Sequence, residues 1–129
     1  MASLLEVARA LEARLEEAFV AVGLSSPKYS VLSQLVRAGQ PLTLGELAAR
    51  VCCVRSNMTQ LMDRLETEGL VRRIDDPVDR RIVRAAITPL GAEREAAGTK
   101  QMDRIQSEFA AELPGTDRAA LERVLSGLK

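Results

Sequence analysis

Helix starts and helix stops alternate along this chain, and their spacing admits only short helices in its first half. Gly23 can end a helix that begins near Ser3. Ser26-Pro27 offers an N-cap followed by proline at the first helical position, and Gly39 closes that segment. Thr43-Leu44-Gly45-Glu46 has the T-x-x-E form of a capping box. A further helix begins near Val54 or Arg55 and stops at Gly69. Thr88-Pro89 opens a long one that runs to about Leu113, where Pro114-Gly115 breaks it, and Thr116 caps a last short helix.

Apolar periodicity fills these windows. Leu4, Ala8, Leu11, Leu15, Ala18 and Val22 recur at alternating four- and three-residue steps, an a/d seam over residues 3–22. That seam suits a helix packed on its own core and equally one paired with another subunit. Val31, Leu32, Leu35 and Val36 are the expected inward face of the second helix, and Leu47, Ala48 and Val51 that of the third. Met58, Leu61, Met62 and Leu65 form the buried stripe of the fourth. Met102, Ile105 and Phe109 line one side of the long helix, and Leu121, Val124, Leu125 and Leu128 one side of the last. Pro41-Leu42 reads as one short extended piece. Residues 70–74 and 82–87 are β-favouring runs joined by a polar loop containing Asp-Pro, which predicts a hairpin with a long tip. Aromatics make up only 2% of a chain that is 47% hydrophobic, so aliphatic side chains must do the packing, which favours helices. The order predicts a mainly α fold: a helix-turn-helix within a three-helix core, a β-hairpin wing, and flanking helices at both ends. At 129 residues this is one domain, and a second copy would help such a small core.

The 18 basic and 18 acidic residues cancel, but not locally. Arg50, Arg55, Arg64, Arg72, Arg73, Arg80, Arg81 and Arg84 outnumber the acids between them, while the first 27 residues are acidic. That asymmetry points weakly toward a polyanion. No apolar run is long enough to cross a bilayer, and the N-terminus does not read as a signal peptide, so a cytoplasmic location without membrane association is expected. The chain has no histidine, no nucleophile motif and no glycine-rich phosphate loop, which argues against an enzyme, a catalytic residue, a metal site or a cofactor.

On the fourth helix, Ser56, Gln60, Asp63 and Thr67 occupy the pole opposite the apolar stripe, flanked by Asn57, Thr59 and Arg64. Short polar groups near a helix N-terminus are what base-edge reading in the major groove requires, and Asn or Gln can bond adenine in bidentate fashion. Arg55 can reach guanine or phosphate. Asp63 would repel phosphate, so the helix's C-terminal half is expected to lift away. The same face also fits a plainly solvated helix. The hairpin tip places Arg80 and Arg81 beside Asp79, and an arginine tip suits a narrow minor groove. Asp79 could brace Arg81, or pair with Arg64 or Arg84 at the base of the wing.

Asp79 and Arg81, five residues, then Ile87-Thr88 and Gly91 match D-x-R-x5-[LI]-T-x-x-G. Together with "LGELAARV" and "RSNMTQLMDRLETEGLVRR", this stretch resembles the MarR family of bacterial winged-helix regulators, most specifically over residues 42–91. The resemblance implies a homodimer on a pseudo-palindromic double-stranded DNA operator, with residues 28–88 as the DNA-binding core and residues 3–22 and 89–128 as dimerisation helices. By resemblance, Arg55, Ser56, Asn57, Thr59 and Gln60 contact the major groove, Arg81 enters the minor groove, and Arg80 meets phosphate. It also implies a small-molecule effector bound between the dimer helices and the winged unit, for which Phe19, Tyr29 and Met62 are candidate lining or ordinary core.

The chain departs from the family pattern before the fourth helix, where Cys52, Cys53 and Val54 replace a Gly–apolar–Ser turn. The expected N-cap is lost, so Ser56 or a shifted start takes that role. Adjacent Cα atoms lie ~3.8 Å apart, below the roughly 4.4 Å a disulfide normally spans. Cys52 and Cys53 are expected to be small hydrophobes; the alternative is a redox switch of the reading helix, with Arg50 or Arg55 lowering a thiol pKa. Two other functional readings stand beside a ligand-responsive DNA-binding repressor: that thiol-sensing regulator, and a winged-helix module that binds protein.

Overall fold

In a computed structural model, residues 3–51, 55–112 and 123 are described. The elements run α1 (Leu4–Ala21), α2 (Ser26–Ala38), β1 (Leu42–Thr43), α3 (Leu44–Arg50), α4 (Arg55–Thr67), β2 (Val71–Asp75), β3 (Val83–Ile87) and α5 (Pro89–Glu112). The mainly helical winged-helix architecture predicted from the sequence is present. Apart from residue 123, the last predicted helix lies outside the described residues, as do Cys52, Cys53 and Val54. No described helix is long and apolar enough to cross a membrane.

The chain divides into two compact units, residues 1–26 with 96–129, and residues 27–95. In the first, α1 opens with a capping box that the sequence reading missed: Ser3 Oγ accepts from the Glu6 amide at 3.2 Å while Glu6 Oε2 accepts from the Ser3 amide at 3.3 Å. Leu11, Leu15 and Ala18 of the predicted seam are buried, together with Phe19. Leu4 is 51% exposed, and Leu5 and Val20 are 60% and 64% exposed. Met102, Ile105 and Phe109 of α5 are buried. Arg14 pairs with Glu108 and lies over the Phe109 ring, 5.1 Å from its centroid.

Two expectations for α2 are corrected. The helix starts at Ser26 rather than after it, and the Ser26 hydroxyl donates to Glu16 Oε2 at 2.8 Å. Val36, predicted to face inward, is 44% exposed. It lines a surface groove of about 320 Å³ with Leu35, Gly39, Pro41 and Ile87, where the packing against the sheet leaves space. Tyr29, Val31, Leu32 and Leu35 supply the buried face.

The second unit holds the helix-turn-helix and the wing. Thr43 caps α3 in the predicted box, with Oγ1 accepting from the Glu46 amide at 3.0 Å. Met58, Met62 and Leu65 of α4 are fully buried, and Leu61 is half-buried. Each side chain so buried contributes about 1.5–3 kcal/mol, enough for this stripe to fix which face of α4 turns outward. The hairpin strands begin one residue later than predicted, and β1 adds a third strand, giving the order β1-β3-β2. All pairings are antiparallel, with Leu42 opposite Ala85 and Arg73 opposite Ala85 on the other side. Ala85, in the central strand, is fully buried.

The junction between α4, the wing and α5 explains the T-x-x-G signature. Gly69, at φ +77, turns the chain out of α4. The Thr88 hydroxyl donates to the Gly69 carbonyl at 2.6 Å and accepts from the Gly91 amide at 3.0 Å, so one side chain caps α5 and ties it to that turn. The Thr88 amide donates to the Leu70 carbonyl at 3.1 Å. Gly91 then passes so close to Leu70 that a Cβ would sit 2.0 Å from its carbonyl oxygen.

Candidate nucleic-acid interface

The burial of Met58, Met62 and Leu65 leaves Asn57, Thr59 and Gln60 exposed on the first turns of α4. The Asn57 and Gln60 amides have no hydrogen-bond partner among the described residues, so their donors and acceptors face solvent. Arg55 and Ser56 begin the helix; their side chains lie outside the described set, as do Cys52 and Cys53.

Asp63 follows Gln60 by about one turn, on the same side as Thr59. It is not a bare charge. The Arg73 guanidinium reaches from β2 to its carboxylate and also approaches Glu66, with Nη1 3.6 Å from Oε1. This bridge places the first wing strand beside the outer face of α4.

Two aspartates shape the wing loop. Asp76 Oδ1 accepts from the amides of Val78 at 2.8 Å and Asp79 at 3.0 Å, which closes an Asx-type turn. Its Oδ2 accepts from Arg84 Nη1 at 2.9 Å. The Arg84 hydrogen bond and the Asp79 and Val78 amides pull the Asp76 carboxyl from its ordinary 3.8 to about 2. Asp79 Oδ1 accepts from the Arg81 amide at 2.9 Å and from its Nε at 3.2 Å, while Oδ2 takes Nη2 at 3.3 Å. That contact with Arg81 holds the Asp79 carboxyl below its usual range. Arg81 still has a side chain 91% exposed, so its outer surface is presented to solvent. Arg80 is also exposed.

Of the braces considered from sequence, the Asp79–Arg81 pair is present. Among the described residues no ion pair joins Arg64 to Asp79, and Arg84 pairs with Asp76 instead. The sequence reading missed Asp76 and Arg73. The Asp-Pro turn at Asp76 was a local signal for the first; the second needed the tertiary approach of β2 to α4. Phe19, Tyr29 and Met62 are buried core residues.

Because Asp76 is depressed in the folded wing, its contribution is complete above about pH 4 and is lost as pH falls from 3.8 toward 2. The Val78 and Asp79 amides are therefore expected to lose exchange protection through that window before Ala85 does. Asp76→Asn should weaken their protection already at neutral pH. Unchanged protection in that variant would remove Asp76 from the wing's support.

The comparisons agree with this geometry. Residues 24–83 match the MarR family. YsmB of Bacillus subtilis, an uncharacterized HTH-type transcriptional regulator, is 33% identical over 89 residues, covering 69% of this chain and 60% of that protein. The chain thus aligns with about 60% of that relative's length. A MarR family transcriptional regulator from Rhodococcus sp. RHA1 has a crystal structure with 26% identity and a TM-score of 0.80, covering 97% of this chain and 88% of that one. A mutant of MarR from E. coli, complexed with operator DNA, shares the fold at a TM-score of 0.78 and 24% identity, covering 93% and 86% of the two chains. Sequence profile and fold thus agree over the winged unit, whose residues 24–83 match the MarR family model, and the wing signature overlaps the end of that match.

Proposed function

We propose that this chain is a sequence-specific duplex-DNA-binding transcriptional regulator, a repressor that acts as a homodimer and releases DNA when a small effector binds. The observation that carries the reading is the exposure of the Asn57 and Gln60 amides on the first turns of α4 while β2 of the wing is bridged to the same helix by Arg73. Asn57, Thr59 and Gln60, with Arg55 and Ser56, would read base edges in the major groove. Arg81, framed by Asp79, would enter the minor groove, with Arg80 on phosphate. The operator complex of E. coli MarR supports this use of the shared fold. Exposed Leu4, Leu5 and Val20 on α1 support pairing of residues 3–22 and 89–128 with a second copy. Two copies would engage a pseudo-palindrome, and an effector that changes the spacing of the two α4 helices would release it.

A winged-helix module for protein partners is the competing reading, favoured by the zero net charge. Salt separates them. Duplex affinity should fall steeply as salt rises, with a slope set by the number of phosphates neutralised. A salt-indifferent interaction would favour the protein partner.

A further inference from the structure

The α4 face proposed to approach DNA carries acids in its second half, and the structure gives two of them one partner. Arg73 reaches Asp63 and Glu66 together, and Glu66 Oε2 also accepts from the Arg73 amide at 3.3 Å. Glu68, just beyond the helix, is taken separately by Lys28 Nζ at 2.9 Å. Arg73 Nε is buried without a hydrogen-bond partner among the described residues, and its side chain is 32% exposed. The guanidinium is therefore turned toward the helix. Arg81, by contrast, points almost wholly into solvent.

We propose that Arg73 is a positioning residue for DNA binding, which acts by neutralising Asp63 and Glu66 on α4, without touching DNA itself. This rests on the DNA-binding reading above. Coulomb repulsion from a bare carboxylate near phosphate is modest in water but grows where the contact excludes solvent. Arg73→Ala unmasks two such groups per protomer, so α4 would have to tilt or lift, the outcome the sequence alone predicts for Asp63.

The test uses the full chain and a duplex enriched from a random pool. Arg73→Ala should weaken binding roughly tenfold, with the salt slope kept, because no phosphate contact is lost. Asp63→Asn added to Arg73→Ala should recover most of that loss. Asp63→Asn alone, at an exposed position, should fold normally and bind at least as well as the wild type. A salt slope reduced by about one in Arg73→Ala would mean that Arg73 contacts phosphate directly and would overturn the proposal. So would the absence of rescue by Asp63→Asn, or Arg73→Ala binding like the wild type. Failure of the wild type to bind any duplex would instead defeat the DNA-binding reading itself.

Discussion

Gly91→Ala is expected to destabilise the winged unit by about 3 kcal/mol, at the upper end of the usual cost of overpacking. The added methyl would lie 2.0 Å from the Leu70 carbonyl oxygen and 2.8 Å from Ile87 Cγ1. The first of these is backbone, and it is held. The Leu70 carbonyl accepts the Thr88 amide, and Thr88 in turn binds the Gly69 carbonyl and caps α5. Relief by backbone movement would therefore break the joint between the end of α4, the wing and the start of α5. The unfolding midpoint should fall by about 10 °C or more, measured by circular dichroism. Gly45→Ala is the matched control. A Cβ there meets only Thr43 Oγ1, at 4.0 Å, and alanine is the better helix former by roughly 0.8–1 kcal/mol. That variant should be neutral or stabilised. If both variants unfolded at the wild-type temperature, the close approach at Gly91 would have no energetic meaning.

The second large effect is on binding. Arg81→Ala should cost about 1–3 kcal/mol per half-site, roughly tenfold each, while leaving the fold intact. The residue is almost fully exposed, and its ion pair with Asp79 contributes little stability in solvent. Its value lies in preorganisation: three contacts from Asp79 hold both the Arg81 backbone and its guanidinium. Asp79→Ala should therefore weaken binding less than Arg81→Ala and add little to it when the two are combined, as expected for groups acting in series. The preferred core sequence should persist in Arg81→Ala, with any change confined to A/T-rich flanks where the minor groove is narrow. Duplex titration measures this, and equal affinity in the variant would refute the minor-groove role.

What was legible in the sequence was periodic or local. The spacing of Met58, Met62 and Leu65 located the buried stripe of α4, and hence the exposure of Asn57 and Gln60. The Thr43 box and the Thr88-Pro89 start fixed two helix boundaries because a cap is set by neighbours three residues away. The T-x-x-G spacing was visible as a pattern, but its cause was not: Gly91 is required by a backbone more than twenty residues earlier in the chain. Arg73 looked like one more basic residue of a basic stretch. Its function depends on β2 returning along α4, a tertiary fact that no window of sequence contains. Val36 failed for a related reason. It shares the periodic stripe of α2, but the apolar surface meant to cover it ends at the groove beside Pro41 and Ile87. Asp76 was within reach, since Asp-Pro before a polar loop is a turn signal, yet its hold on Arg84 across the hairpin is again set by strand register.

The central claim is that the outer face of the first turns of α4 reads bases. Selection of bound duplexes from a random pool, repeated with Asn57→Ala and Gln60→Ala, tests it most directly. The account predicts an enriched pseudo-palindrome with the wild type, and in each variant a loss of about 1–3 kcal/mol confined to particular base positions in both half-sites. No enrichment with the wild type, or a uniform loss across all sequences in the variants, would contradict it.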